Sequence, residues 1–122
     1  MGTLMAYGPD VVGIQGEVKK YSTEEHVVGE WIDGSTLYEK TVDVGALPNN
    51  TRKTVNHNIS NINHIVSING IGIGSNYIPL PWAGTTNVCY IYADGTIISI
   101  VSNDDISPYN GYITLRYTKT TT

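Results

Sequence analysis

Phenylalanine is absent from this sequence of 122 residues, and cysteine occurs only once. A single cysteine excludes an intramolecular disulfide framework and a cysteine-rich zinc module. That residue, Cys89, lies in the apolar run 88–91, which predicts a small side chain in the core. Charge is also scarce, because 7 Lys and Arg stand against 11 Asp and Glu and give a net charge of −4. A chain this acidic, with its basic residues scattered, is a poor candidate for binding the phosphates of nucleic acid.

Long apolar runs and helix-forming runs are missing too. No stretch approaches the roughly 20 apolar residues that a membrane helix needs, so we expect no membrane insertion. Residues 1–7 lack a basic start followed by an apolar run, so the sequence predicts no signal peptide. Good helix formers do not cluster anywhere. The 13 Gly and 5 Pro, with many Val, Ile, Thr and Tyr, instead predict short strands joined by frequent turns.

Two Asp-Gly pairs give the clearest local signal. Asp33-Gly34 and Asp94-Gly95 each separate two β-rich runs, and both residue types tolerate the positive φ that tight hairpin turns need. We therefore predict two β-hairpins. The predicted strands of the whole chain are residues 26–32, 37–44, 51–55, 64–73, 88–92, 97–101 and 112–118.

Short strands at this spacing predict an all-β fold, an antiparallel β-sandwich of jelly-roll-like type, over residues 21–122. Residues 1–20 are punctuated by glycine, and we expect them to form an extended lead-in. In residues 56–64 isoleucine recurs at every third position, which predicts a compact helical turn that tucks Ile59 and Ile62 inward. Strand 97–101 is apolar on both faces, so we expect another subunit to cover part of one face.

The residues that could ligate a metal are poorly spaced for it. No two of the three histidines have the i, i+2 spacing that places ligands on one side of a strand, so we predict no metal site. The alternative is that three copies of His57 or His64 meet on the axis of a trimer. Asp104-Asp105 matches no calcium loop, and a solvated loop is expected there.

Catalytic motifs are lacking as well. The sequence contains no Gly-x-Ser-x-Gly elbow, and Cys89 has no histidine close to it in sequence. Glu24 and Glu25 are adjacent, so on a strand they point to opposite faces and cannot form an acid–base pair. We therefore expect neither a cofactor nor enzymatic activity.

The nine Tyr and two Trp all carry a polar group on the ring, which suits half-buried sheet surfaces and wet interfaces. Most of them, Trp31 included, fall on predicted strands and are expected to be structural. Segments 74–87 and 102–111 are predicted to be long irregular loops that carry further aromatic residues. Pro79 and Pro81 in the first segment fit an extended edge or a loop, but not a central strand. An aromatic ring beneath the apolar face of a sugar, surrounded by polar groups, is an arrangement that holds carbohydrate. The candidate glycan-binding residues are Asn76, Tyr77, Trp82, Asp104, Tyr109 and Asn110.

The alternative for these aromatic residues is structural. In that interpretation Tyr77 and Trp82 anchor their loop to the core or to a neighbouring subunit, and Tyr109 does the same for the second loop. The sequence leaves both interpretations open.

Four segments together resemble the C-terminal domains of tailed-bacteriophage tail fibres and related tail proteins. They are the hairpin at 21–40, the run Asn58-Ile59-Ser60-Asn61-Ile62 before a strand, the motif Ile78-Pro79-Leu80-Pro81, and the closing strand at 111–120. The resemblance covers about residues 21–120, and none of its motifs is a catalytic signature.

The resemblance implies a component of the virion tail or its prophage copy, made in the bacterial cytoplasm without a signal peptide. Such domains lie at the tips of fibrous proteins, are usually homotrimers, and often contact glycans or proteins of the host-cell surface. Residues 1–20 would then be the end of the fibre shaft. We therefore expect a tip domain that recognises its host by non-covalent glycan binding, with weak contacts adding by avidity. The alternatives are a knob that caps the fibre and binds no ligand, and a carbohydrate-binding module of a secreted bacterial enzyme.

Overall fold

The computed structural model describes residues 21–120, and that range contains nine β-strands and no helix. The expected lead-in, residues 1–20, lies outside the described residues, as do residues 121 and 122. In chain order the strands are β1 (His26–Glu30), β2 (Thr36–Ala46), β3 (Arg52–Asn56), β4 (Ile62–Ile73), β5 (Tyr77–Leu80), β6 (Trp82–Ala83), β7 (Val88–Ala93), β8 (Ile97–Ser102) and β9 (Asn110–Lys119).

These strands form two antiparallel sheets. The first has five strands in the order β1-β2-β9-β4-β5, and the second has four in the order β3-β8-β7-β6. The two sheets contribute to one hydrophobic core, in which Cys89 is completely buried as predicted, and burial raises the pKa of its thiol. The prediction of an all-β antiparallel fold is therefore confirmed for the described residues, which hold two strands more than the sequence indicated.

Both predicted hairpins form, and aspartate side chains hold their turns. The Asp94 carboxylate accepts hydrogen bonds from the backbone N–H groups of Thr96 and Ile97, each at 2.8 Å. The Asp33 carboxylate accepts from the N–H of Ser35 at 2.9 Å, and Gly34 takes a φ of 88°. Of the four Asp-Gly residues only Gly34 uses the positive φ that the sequence analysis invoked, and side-chain hydrogen bonds from aspartate stabilise both turns.

Strand β9 is the centre of the five-stranded sheet, and it has buried side chains on both faces. Ile113 and Leu115 point into the core, and Thr114, which points the opposite way, is also buried. The Thr114 hydroxyl is hydrogen-bonded to the hydroxyl of Thr41 on β2 at 2.8 Å. The sequence alternation at 112–118 therefore indicated the strand correctly, although not that both of its faces are buried.

The predicted helical turn at 56–64 is wrong. Asn58 and Asn61 take positive φ values of 58° and 61°, which bend the chain in a way that no right-handed helical turn allows. Ile59 is buried as expected, but Ile62 is only half-buried and begins strand β4. Asparagine tolerates the left-handed region better than most residues, so an Asn-dense segment favours such bends over a helix.

The predicted long loop at 74–87 is also wrong, because it contains strands β5 and β6. Pro79 lies in β5, an edge strand, which is the place where a proline fits a sheet. The peptide bond Leu80-Pro81 is cis and connects the two sheets. Only short irregular segments remain on either side of these strands.

Strand β8 is an interior strand of the four-stranded sheet, and it has the two-sided apolar character that the sequence indicated. Ile98 and Ile100 are buried in the core, whereas Ile97 and Val101 are half-buried on the outer face. Cover by another subunit stays a prediction. Trp31, which was predicted to lie on a strand, lies in the first hairpin turn, where it is half-buried and outside the core.

Candidate functional site

Four of the six predicted glycan-binding residues come together where β4 ends and β5 and β9 begin. We call this set, Asn76, Tyr77, Tyr109 and Asn110, the Tyr77 corner. The Tyr109 hydroxyl donates to the side-chain oxygen of Asn76 at 2.5 Å, which joins the two predicted loop regions. The Tyr109 ring also packs so closely on Gly74 that a Cβ there would lie 2.8 Å from it. Tyr109 therefore anchors the corner, as the structural alternative predicted.

Tyr77 and Asn110 differ in how free they are. The Tyr77 side chain is 70% exposed and stands opposite Ile73 of β4, which is 41% exposed. The Asn110 side chain instead donates to the Asp43 carboxylate at 3.0 Å, and the same oxygen accepts from the N–H of Gly45 at 3.0 Å. Within the Tyr77 corner, Tyr77 is therefore the ring best placed to meet a ligand.

Trp82 lies on the other sheet and serves the core. It is half-buried on β6 and packs against core residues, and its indole N–H is buried without a hydrogen-bond partner among the described residues. A ring held in this way does not offer a ligand its polar edge. The prediction that Trp82 binds glycan is therefore not supported by its placement, which matches the anchoring alternative.

Asp104 is committed to its own loop. Its carboxylate accepts from the Asn87 side chain at 3.2 Å and from the N–H of Asp105 at 2.8 Å. Its backbone carbonyl accepts from the N–H of Asn50 at 2.9 Å. These bonds tie together three loops, so Asp104 organises loop structure and has little capacity left for a ligand.

A cleft that the sequence analysis missed lies on the outer face of the five-stranded sheet. It has a volume of about 350 Å³ and an open mouth. We call it the tyrosine cleft, and it is lined by Tyr21, Thr41, Asn69, Gly70, Ile71, Tyr112 and Thr114.

Strand register builds the tyrosine cleft. Tyr112 of β9 stands opposite Ile71 of β4, and two residues further on Thr114 stands opposite Asn69. Tyr21 approaches from the chain before β1, where the carbonyl of Ser22 accepts a 2.9 Å hydrogen bond from the N–H of Thr41. The cleft thus combines residues from four segments that are far apart in sequence, which is why spacing along the chain could not reveal it.

The tyrosine cleft and the Tyr77 corner are parts of one surface. Ile71 and Ile73 lie on the same face of β4, two residues apart, and are 40% and 41% exposed. Ile71 lines the cleft and Ile73 faces Tyr77 across the strand pair. An exposed apolar path therefore leads from the cleft to the most accessible ring of the corner.

The lining of the tyrosine cleft combines aromatic and polar uncharged side chains. The residues that line the tyrosine cleft offer aromatic rings, hydroxyl groups and one amide, and none of them is charged at neutral pH. Rings with convergent neutral hydrogen-bonding groups suit a polar, uncharged ligand that has apolar faces.

His57 is held by hydrogen bonds inside the chain, and His64 on a trimer axis stays a prediction. His57 is buried, its Nε2 lies 2.9 Å from the carbonyl of Asp94, and its Nδ1 accepts from the N–H of Ile59 at 3.1 Å. Both ring nitrogens are thus used inside the chain, so His57 cannot be the axial ligand that the sequence left open. In the described part of the chain no three His, Cys, Asp or Glu side chains are placed to hold a metal ion.

Among residues 21–120 there is no helix long and apolar enough to cross a membrane. Comparison of the chain with protein-family models, with curated proteins and with solved structures finds no match.

Proposed function

We propose that this chain is the β-sandwich tip domain of a bacteriophage tail fibre, or of its prophage copy, and that it recognises host-surface saccharide. The observation that carries the proposal is the tyrosine cleft, where aromatic rings converge with hydroxyl and amide groups on an exposed sheet face. Sugars present apolar ring faces edged by hydroxyl groups, and this mixed lining is complementary to them. The phage origin rests on the resemblance of residues 21–120.

Recognition in this proposal is non-covalent and multivalent. A homotrimer presents three equivalent clefts, and contacts that are weak one at a time add by avidity on a repetitive cell surface. Tyr77, at the end of the apolar path from the cleft, extends the surface available to a longer glycan. The upstream fibre shaft carries the domain to the host.

A fibre-capping knob is the second candidate, and the exposed isoleucines favour it. Ile71 and Ile73 together with Tyr77 form an apolar strip on a sheet face, and such patches often mark contacts between proteins. In a knob, this surface would be the contact between subunits, and the tyrosine cleft would be covered in the trimer.

The decisive experiment measures saccharide binding by the full chain on a glycan array, followed by calorimetry with each glycan that binds. Replacement of Asn69 by Ala removes an exposed amide that lines the cleft, and we expect about tenfold weaker binding, the effect of losing one or two hydrogen bonds. Asn63→Ala is the matched control, because Asn63 is an exposed asparagine on the same strand that does not line the cleft.

Light scattering of the same protein tests the assembly. A trimer agrees with both candidates, and a stable monomer would contradict the trimer and favour a carbohydrate-binding module. Trimer formation that Ile73→Lys abolishes, without glycan binding by the unmodified chain, would favour the knob. Glycan binding that both asparagine variants retain would contradict the cleft as the site.

A further inference from the structure

The outer face of the four-stranded sheet carries a second aromatic surface. Tyr90 and Tyr92 lie two residues apart on β7, so their side chains share a face. Their rings are nearly parallel, with 6.2 Å between centroids and 20° between planes. The Tyr90 and Tyr92 side chains are 48% and 44% exposed, so both rings are open to solvent. Together with Arg52 they form what we call the tyrosine strip.

Arg52 completes the strip from the edge strand β3, on the same face of the sheet. It lies on β3, and its guanidinium carbon reaches across β8 to within 6.0 Å of the centroid of the Tyr92 ring. A cation over an aromatic face is attracted by the ring quadrupole, which holds the side chain in place. The guanidinium is therefore positioned beside an exposed aromatic row.

The hydrogen-bond donors of Arg52 are unused, which distinguishes it from every other cation in residues 21–120. Arg116 and Lys119 are paired with the carboxylates of Glu39 and Glu25. Lys40 and Lys53 donate to backbone carbonyls at 2.9 Å and 2.6 Å. Arg52 makes only its contact with the Tyr92 ring in this part of the chain. Its planar set of N–H groups is thus free to bind an anion in a bidentate manner.

The charge around the strip favours an anionic ligand. By strand register, Arg52 is the one charged side chain among the described strand residues that share this face. Its uncharged neighbours on the face are Thr54, Tyr90, Tyr92, Ser99 and Val101. A carboxylate or phosphate bound here would meet a cation without a competing acidic side chain on the sheet face, in a protein whose net charge is −4.

We propose that the tyrosine strip binds an acidic saccharide, with sugar rings packed on Tyr90 and Tyr92 and a carboxylate or phosphate held by Arg52. The row of rings supplies the apolar platform that a sugar face needs, and the free guanidinium selects the acidic substituent. A single cation is too little for a nucleic-acid backbone, which is bound through several phosphates at once. The inference extends the proposed host recognition to acidic glycans, but it uses none of the residues of the tyrosine cleft.

The test measures binding of three oligosaccharides to the full chain by calorimetry at low and moderate salt. The probes are oligogalacturonate, its carboxyl-reduced neutral form, and a phosphorylated mannose oligosaccharide. We expect one of the two acidic probes to bind more tightly than the neutral probe, and whichever binds identifies the acidic group. We also expect binding to weaken as salt rises, because an ionic contact is screened.

Variants assign the binding to the strip. Arg52→Gln removes the charge, and we expect at least about tenfold weaker binding of the acidic probe, the value of a charge-assisted contact. Tyr92→Ala should weaken binding of the same probe. Val27→Ala is the control, since it removes an exposed apolar side chain from the other sheet, outside both proposed binding surfaces, and should leave the affinity unchanged.

Several results would overturn the inference. They are failure of both acidic probes to bind, equal affinity for the neutral probe, and unchanged affinity in Arg52→Gln. A fourth is a change of oligomeric state in Tyr92→Ala seen by light scattering, which would make the strip an interface between copies of the chain. Loss of acidic-probe binding in Asn69→Ala but not in Arg52→Gln would move the acidic ligand to the tyrosine cleft. None of these results decides whether neutral glycans bind at the tyrosine cleft, which Asn69→Ala and Asn63→Ala test separately.

Discussion

The guanidinium of Arg116 donates a 2.7 Å hydrogen bond to the carboxylate of Glu39, between the neighbouring strands β9 and β2. The Glu39 side chain is completely buried, whereas 38% of the Arg116 side chain is exposed. The other carboxylate oxygen lies 3.4 Å from Nε2 of His26. A buried carboxylate is costly unless cations and hydrogen bonds compensate for its lost hydration, so Arg116 makes the burial of Glu39 tolerable.

Removal of that compensation should be strongly destabilising. We expect Arg116→Met to lower the free energy of unfolding by about 3 kcal/mol, because it leaves a buried charge without its closest partner. Urea denaturation followed by tryptophan fluorescence measures the change. Arg52→Met is the control, since that arginine has only a ring contact and should cost less than about 1 kcal/mol. Equal losses in the two variants would contradict the role assigned to Arg116.

Two buried threonines on β9 should respond in opposite ways to replacement by valine. The Thr118 hydroxyl is buried without a hydrogen-bond partner in the described residues, so Thr118→Val should raise the free energy of unfolding by up to about 1 kcal/mol. Thr114→Val should lower it by about 1–2 kcal/mol, because the buried hydroxyl of Thr41 loses its 2.8 Å partner. Chemical denaturation of both variants provides the comparison, and changes of the same sign would contradict it.

His57 should be a structural residue whose loss loosens one end of the molecule. His57→Ala removes a buried ring that bonds the carbonyl of Asp94 and the N–H of Ile59, and we expect a loss of at least about 2 kcal/mol. His64→Ala, at an exposed position on β4, should stay within about 0.5 kcal/mol of the unmodified chain. Thermal unfolding distinguishes them, and a stable His57→Ala protein would refute this role.

Acid should weaken the fold through Glu25. Burial raises the pKa of this carboxyl, but hydrogen bonds from Lys119 and Tyr117, at 2.9 Å and 2.7 Å, outweigh burial and hold the pKa below its ordinary value of 4.5. A depressed pKa means that the charged form stabilises the folded state above pH 4.5, and that this stabilisation is lost as pH falls through the lower, folded-state value. The pKa of Asp94 is lowered in the same direction by the backbone N–H groups of Ile97 and Thr96.

Urea midpoints at pH 7 and pH 3 measure the contribution of Glu25. Glu25→Gln should be less stable than the unmodified chain at pH 7, and the difference should shrink at pH 3, because the stabilisation by the charged carboxylate is lost as pH falls from 4.5 through the lowered folded-state pKa. Glu24→Gln, at the exposed neighbouring position, should follow the unmodified chain at both values. A stability difference for Glu25→Gln that persists unchanged at pH 3 would contradict the argument.

Local chemistry predicted the parts of the fold that depend on neighbouring residues. Asp33 and Asp94 cap their own turns, so both hairpins could be read from adjacent residues. The spacing of isoleucine at 59–65 led to the wrong prediction of a helical turn. The same spacing occurs here in an extended chain that bends at Asn58 and Asn61, whose φ values are positive. Pro79 fitted either an extended edge or a loop, and it lies on the edge strand β5, paired with β4.

The candidate site likewise has parts that neighbouring residues determine and parts that strand pairing determines. Asn76, Tyr77 and Tyr109 lie close to one another because their segments flank strand ends, and their aromatic and polar character was visible in the sequence. The tyrosine cleft depends on which residues of β2, β4 and β9 stand opposite each other, and the register of β9 against β2 shifts between Gly111 and Tyr112. A one-residue change of register moves every side chain to the other face, so this surface could not be foreseen without the pairing.

The central position of β9 also constrains how the molecule folds. Among residues 21–120 this strand follows all the others in sequence, yet it lies between β2 and β4, which come well before it in the chain. During synthesis, the β1–β2 and β4–β5 pairs therefore emerge with open edges and an incomplete core, and they join only when residues 110–119 are inserted between them. Pairing between strands far apart in sequence is slow, and until it is complete the unpaired strand edges are prone to aggregation. Deletion of residues 110–119 should therefore leave two open sheet edges and yield an insoluble product.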